Sequence, residues 1–233
     1  SSDLNVDIDN ELSDDMDYLI SINKRVDFDV IIADKLKHLK ASQQAELREL
    51  LSKNTHVISD KPGCCKDFVY RIKLKEGAKP VQQHPYRMSP SQQQWLRQEI
   101  DQLLNDGLIE KCSSEWSSPA ILVPKPDGSH RCVIDYRRVN GMVASENFPM
   151  MRVDDLIDKI GQLRYLTKID LSKGFYQCKL SEESRDITAF CTPFGSFRWT
   201  RLPFGLKTSP SVFNSMLNKQ LADLNEFCGM YIE

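Results

Sequence analysis

Apolar positions along this 233-residue chain fall into short stretches of helical or alternating spacing, divided by proline, glycine and serine. From Lys35 to Lys53, leucines at 36, 39, 47, 50 and 51 recur at helical spacing, with Ser42 as an internal helix start. Phe68 to Leu74 alternates as a short strand, which Glu76-Gly77-Ala78-Lys79-Pro80 ends. Ser89-Pro90-Ser91-Gln92 places a capping serine, a proline at the first helical position and a glutamine at the third. That predicts a helix whose apolar face is Leu96, Ile100, Leu103 and Leu104 and which Gly107 stops.

Pro119–Val123 and Arg131–Tyr136 flank the segment Pro124-Lys125-Pro126-Asp127-Gly128-Ser129-His130, a hairpin with a glycine-containing loop. Val153, Leu156, Ile157 and Ile160 predict a short helix before Gly161. Residues 166–171, 174–180 and 194–202 read as strands, as does 227–232 at the end of the sequence. Ser209-Pro210 repeats the helix start, with Phe213, Met216, Leu217 and Leu221 as its buried face. Strands and helices interleave without regular alternation, so the expected class is α+β rather than a doubly wound sheet.

With 40% hydrophobic and 27% charged residues, the composition excludes collagen-like, coiled-coil and wholly disordered chains. No run approaches the roughly 18 consecutive apolar residues of a membrane span, and the first twenty residues are acidic where a signal peptide is basic and then apolar. A cytoplasmic or nuclear setting is the default expectation. Seven cysteines without a C-x-x-C spacing read as reduced thiols, and the four histidines show no zinc spacing. The net charge of −2 is unevenly spread: residues 1–34 hold ten acidic side chains against Lys24 and Arg25, a local charge of −8, which leaves +6 for the remainder. Residues 1–34 therefore read as an acidic linker. A basic excess of that size is common on solvated surfaces and by itself shifts the reading only slightly toward a polyanion partner.

The chemistry centres on Thr167-Lys168-Ile169-Asp170-Leu171-Ser172-Lys173-Gly174-Phe175-Tyr176-Gln177. An aspartate at the end of an apolar run, followed by a small-residue turn, stands where a carboxylate can reach a metal. The same spacing suits an aspartate that caps a turn, and spacing alone leaves both readings open.

The motifs around it decide the matter by their order. Gly77-Ala78-Lys79-Pro80, His84-Pro85-Tyr86-Arg87, Trp116-Ser117-Ser118-Pro119 and the run from Asp127 through Arg131, Asp135, Tyr136 and Arg137 to Asn140 come first. Lys168-Ile169-Asp170-Leu171, Leu202-Pro203-Phe204-Gly205-Leu206, Ser209-Pro210 and Met230-Tyr231-Ile232-Glu233 follow. In this order the chain, from about Lys35 to Glu233, resembles the reverse transcriptase of gypsy-type long-terminal-repeat retrotransposons.

The resemblance implies an RNA-directed DNA polymerase in which a primer 3′-hydroxyl attacks a deoxynucleoside triphosphate with the help of Mg2+, for which Mn2+ can substitute. It implies that Asp170 and the Leu171 carbonyl hold metal, with Glu233 at the place of a catalytic aspartate. Phe175 matches the aromatic that excludes a ribose 2′-hydroxyl; its ordinary reading is a core phenylalanine. Arg131 matches a triphosphate contact, Lys125 a looser one, and Phe204-Gly205 the turn beneath the nascent base pair. Asp135, Arg137 and Asn140 match template-side and structural positions.

The implied partners are an RNA or DNA template with its primer, deoxynucleoside triphosphates, and the remaining polymerase, ribonuclease H and integrase segments of a polyprotein. The implied division is an acidic linker over 1–34, an N-terminal helix and connection over 35–80, fingers over 81–140 and 178–208, and palm over 141–177 and 209–233. The family pattern continues Tyr-x-Asp-Asp where this sequence has Tyr231-Ile232-Glu233 and stops. The expectation is therefore an excised piece of fingers and incomplete palm, inactive by itself. The alternative is a non-catalytic, decayed or co-opted fragment that binds nucleic acid or protein.

Overall fold

The computed structural model describes residues 38–55, 61–124, 128, 130–146, 148, 152–161, 166–224, 226 and 228–231. The chain divides into two compact units, Ser1–Asp60 and Lys61–Glu233. In the first, helix α1 (Ala41–Lys53) starts at Lys40 rather than at Ser42, because Gln43 Oε1 accepts from the Lys40 N–H at 3.0 Å and closes the first turn there. Its leucines bury little; no residue of α1 is fully buried.

The second unit is built on a five-stranded sheet with order β2-β7-β6-β3-β4. The strands are β2 (Ile109–Lys111), β3 (Ser118–Pro124), β4 (His130–Ile134), β6 (Phe190–Thr192) and β7 (Gly195–Trp199). All neighbours are antiparallel except β3 and β6, where Ser118 faces Phe190 in a parallel pair. β3 and β4 form the expected hairpin, with Ala120 opposite Ile134 and Val123 opposite Arg131. A separate parallel pair joins β1 (Val69–Tyr70) to β5 (Lys179–Leu180).

Helix α2 (Pro90–Asn105) starts as its sequence dictates: the Ser89 hydroxyl accepts from the Gln92 N–H at 3.3 Å, and Gln92 Oε1 accepts from the Ser89 N–H at 2.9 Å. It ends at Gly107, where φ of +66° lets the Leu108 N–H return to the Leu103 carbonyl at 2.9 Å. Leu96, Ile100 and Leu103 then join Tyr136, Phe190, Phe197, Trp199 and Leu202 in one buried cluster.

Short helices α3 (Arg137–Met142), α4 (Val153–Ile160) and α5 (Glu182–Arg185) follow, and α6 (Ser209–Gln220) closes the core. α6 keeps its proline in the first turn, but Thr208 is the residue preceding the helix; the Ser209 hydroxyl is diverted to the Pro203 carbonyl at 2.7 Å. Val212, Phe213 and Met216 form its buried face, with Leu217 partly buried.

Several expected strands take other forms. Phe68–Leu74 is a strand only at Val69–Tyr70, because the chain changes partner: Leu74 bridges to Val143, while the Ala144 N–H reaches the Lys73 carbonyl at 2.8 Å. Residues 166–171 are irregular and exposed, with Ile169 at 79%. A strand is defined by a neighbour, and among the described residues none pairs with this run. Residues 174–180 split into a 3-10 turn, Gly174–Gln177, and the two residues of β5. Of 227–232, residues 228–231 form no strand, and 227 and 232 lie outside the described residues. β6 appears where no strand was expected, before the Pro193-Phe194 turn.

Candidate active site

The expected catalytic aspartate opens onto a cleft of about 610 Å³, whose walls include Asp170, Leu171, Phe175 and Phe204. Two motifs quoted from separate parts of the sequence, the segment holding Asp170, Leu171 and Phe175 and the turn holding Phe204, are thus brought to one place. The cleft floor is apolar, from Phe213, Leu217 and Leu221 of α6 and the turn after it.

The local backbone explains how Asp170 and Phe175 come to share the cleft. Lys173 adopts the left-handed conformation, φ 48° and ψ 48°, the only described non-glycine residue with positive φ. That conformation costs an L-residue roughly 1 kcal/mol, and it folds the irregular 166–171 run back into the Gly174–Gln177 turn. The Tyr176 N–H then bonds to the Lys173 carbonyl at 2.9 Å. Gly174 lies flat against the Phe213 ring: a Cβ there would stand 2.6 Å from Cζ. Phe175 therefore sits in a turn pressed on α6, and not in a strand as the alternation suggested.

An aromatic cluster continues from it. The Phe175 ring is 4.7 Å from that of Phe204 and meets Phe213 edge-on at 5.4 Å. Tyr176 meets Phe204 edge-on at 5.3 Å and stacks on Trp199 at 5.0 Å. Phe204 remains 46% exposed toward the cleft. The next residue, Gly205, has φ of +91°, and a Cβ on it would lie 3.3 Å from the Ile134 carbonyl oxygen, so the turn is seated directly on the end of β4. Asn140 of α3 ties the turn down: its Nδ2 donates to the Gly205 carbonyl at 2.8 Å, and its Oδ1 accepts from the Lys207 N–H at 2.9 Å.

Asp135 and Arg137 form a two-pronged pair, Nε to Oδ1 at 2.8 Å and Nη2 to Oδ2 at 2.7 Å, with the Tyr86 hydroxyl donating to Oδ2 at 3.4 Å. The Arg137 guanidinium, above all, holds the Asp135 carboxyl below its ordinary range, against the opposing effect of burial. The arginine side chain stands 82% exposed above it, a cation held in a fixed orientation on the surface. Tyr136, between them in sequence, points inward and donates to the Thr188 carbonyl at 2.6 Å.

Arg131 lies on β4 opposite Val123, exposed, and does not line the cleft. Lys125 and Glu233 lie outside the described residues. Lys173, which lines the cleft beside Asp170, is not among the expected site residues; Phe213, expected only as a buried helix position, supports the Gly174-Phe175 turn, and Asn140, expected at a template-side or structural position, clamps the Phe204-Gly205 turn. Only the Ser-Lys-Gly tripeptide gave any local sign of a turn at the first of these.

Hard oxygen atoms are what a magnesium ion takes, and the Asp170 carboxylate with the adjacent Leu171 backbone suits that ion in kind. Among the described residues, no group of three His, Cys, Asp or Glu side chains is placed to hold a metal.

The five-stranded sheet and its flanking helices have the fold of a right-hand polymerase. The foamy viral protease-reverse transcriptase dRH in complex with dsDNA superimposes with a TM-score of 0.71 at 28% identity, over 90% of this chain and 37% of that one. The same viral protein in complex with an RNA/DNA hybrid gives 0.68 at 28% identity, over 83% and 26%. Residues 123–232 match the reverse transcriptase (RNA-dependent DNA polymerase) family. The retrovirus-related Pol polyprotein from transposon 412 of Drosophila melanogaster is 40% identical over 156 residues, 64% of this chain and 12% of that protein. The corresponding polyprotein of transposon 297 is 33% identical over 219 residues, 90% and 20%. The chain thus belongs to the reverse transcriptases of gypsy-type long-terminal-repeat retrotransposons, and it spans about a fifth or less of the length of these two relatives.

Proposed function

We propose that the Pol product carrying this sequence is a magnesium-dependent, RNA-directed DNA polymerase that adds deoxynucleotides to a primer 3′-hydroxyl. The observation that carries this reading is the convergence of two motifs on one cleft, the segment with Asp170, Leu171 and Phe175 and the turn with Phe204. When bound, the metal would stabilise charge on the attacking and leaving oxygens. The chain's own part is to supply the Asp170 carboxylate, which lines that cleft, with Glu233 as a second carboxylate. Phe175 closes the space beside the sugar, and the Phe204-Gly205 turn carries the base pair. Arg131 and Lys125, on the hairpin and its loop, would neutralise triphosphate oxygens.

Template and primer are the proposed partners, with the fingers over 81–140 and 178–208 and the palm over 141–177 and 209–233. The foamy virus neighbours described in complex with RNA/DNA hybrid and with dsDNA support a duplex ligand. Contacts to phosphate rather than to bases would dominate, so affinity should fall steeply with salt.

The test is primer extension by the Pol product with Mg2+, comparing wild type with Asp170→Asn. Asp170 is exposed and outside any regular element, so the variant should fold as well as wild type while losing at least about a thousandfold in extension, the scale on which essential charge-stabilising groups act. Extension that survives Asp170→Asn would refute the assignment. Salt-sensitive duplex binding by a wild type that extends no primer would favour the non-catalytic binding module instead.

A further inference from the structure

We infer that Asn140 is a positioning residue for sugar selection: by clamping the Gly205–Lys207 backbone it holds Phe204 against Phe175. The inference rests on the polymerase reading above and goes beyond it, since Asn140 touches neither the cleft nor any group in it. Its amide makes two opposed hydrogen bonds, Nδ2 to the Gly205 carbonyl at 2.8 Å and Oδ1 from the Lys207 N–H at 2.9 Å. A side chain bonded in both directions to residues two apart fixes a turn in rotation as well as in position.

The residue at the head of that turn is Phe204, half exposed, whose ring lies 4.7 Å from Phe175. Phe175 is held from its other side by Phe213 and cannot retreat toward α6. The gap available to a 2′-hydroxyl is therefore set by how firmly Phe204 is held: Tyr176 meets its ring edge-on at 5.3 Å, and Asn140 fixes the backbone that follows it. Gly205 itself lies close to the Ile134 carbonyl, where an added Cβ would stand 3.3 Å from the oxygen, so the turn is bounded by β4 as well as by the clamp.

The position of the two bonds makes the idea separable from stability. Both lie at an exposed edge, where water replaces a lost partner at little cost. Asn140→Ala should accordingly lower Tm by no more than about 4 °C in a domain of this size. It should raise the efficiency of ribonucleotide relative to deoxynucleotide incorporation about tenfold, since sub-ångström misplacement of a reacting group has effects of this order.

The measurement is single-nucleotide insertion by the wild-type Pol product and its variants, with kcat/KM for matched deoxy- and ribonucleoside triphosphates. Asn140→Asp is isosteric; it retains the acceptor for the Lys207 N–H but sets a carboxylate oxygen against the Gly205 carbonyl where Nδ2 donated, so it should loosen the turn and shift the ratio in the same direction as Asn140→Ala. It also serves if the alanine variant does not fold. In parallel, the Lys207 amide should exchange faster with solvent in Asn140→Ala. An active wild type whose ratio is unmoved within twofold by both substitutions overturns the inference and leaves the polymerase reading intact. A wild type that extends no primer overturns both.

Discussion

Gly174→Ala is a small change with a large consequence expected from the packing beneath the cleft. The added methyl would stand 2.6 Å from Phe213 Cζ and 3.1 and 3.2 Å from Cε1 and Cε2. Comfortable carbon–carbon separation is about 3.5–4.0 Å, so roughly 1 Å must be found. Phe213 is 6% exposed and meets Phe175 edge-on, which leaves its ring no free direction. Forcing a methyl into a filled core costs about 1–3 kcal/mol. Gly174 does not have a positive φ, so alanine also returns about 0.4–1 kcal/mol by restricting the unfolded chain.

The net expectation is destabilisation by about 1–2 kcal/mol, which in a domain of this size lowers Tm by roughly 2–8 °C. Thermal and urea unfolding measure it directly. The decisive arm is the double variant with Phe213→Leu. Leucine removes the ring atoms that clash, so the two substitutions should compensate with a coupling of about 1 kcal/mol or more. A Gly174→Ala protein as stable as wild type, or costs that simply add, would show that Gly174 does not seat the turn on Phe213.

Two further expectations concern the charged surface and the thiols. Asp135 titrates lower in the folded protein than its ordinary value of 3.8, chiefly through Arg137, so its contribution is intact above that value and drains away as pH falls through the lower folded one. Arg137→Ala should therefore remove that acid limb from a plot of Tm against pH, and an unchanged limb would rule the pair out as its source. Burial pushes the Cys178 and Cys132 thiols up to about 12, whereas Cys64 is exposed. Iodoacetamide at pH 8 should label Cys64 in the native protein and reach Cys178 and Cys132 only after denaturation; native labelling of Cys178 at the rate of Cys64 would contradict the packing.

What the sequence reveals and what it conceals divide along the range of the forces involved. The start and stop of α2 are written within three residues of each end, because Ser89, Gln92 and Gly107 act on their own neighbours. The β3–β4 hairpin is equally local, its strands adjacent in the sequence. β6 is three residues long and lies between β7, just across the Pro193-Phe194 turn, and β3, some seventy positions earlier; nothing in Phe190-Cys191-Thr192 announces the second of these neighbours. β1 and β5 depend on each other across more than a hundred positions. In the opposite direction, the alternation in 166–171 is real, but alternation becomes a strand only beside a partner, and none of the described residues supplies one.

The site follows the same division. Asp170, Phe175 and Phe204 are legible through the order of their motifs, yet the motif says nothing of why Phe175 leaves a strand for a turn. That outcome belongs to a left-handed Lys173 and to a glycine flattened on a ring forty positions away. Asn140 is the sharper case. In Tyr136-Arg137-Arg138-Val139-Asn140 the family resemblance marks it as a template-side or structural position but does not say what its side chain would bond to. Its role begins only when the chain returns at Gly205–Lys207 and offers a carbonyl and an N–H at the spacing of one side-chain amide. A residue of this kind is visible neither as a core position nor as a catalytic one. Substitution there should leave the fold standing and alter what the cleft accepts, which is the pattern that separates control of geometry from both stability and chemistry.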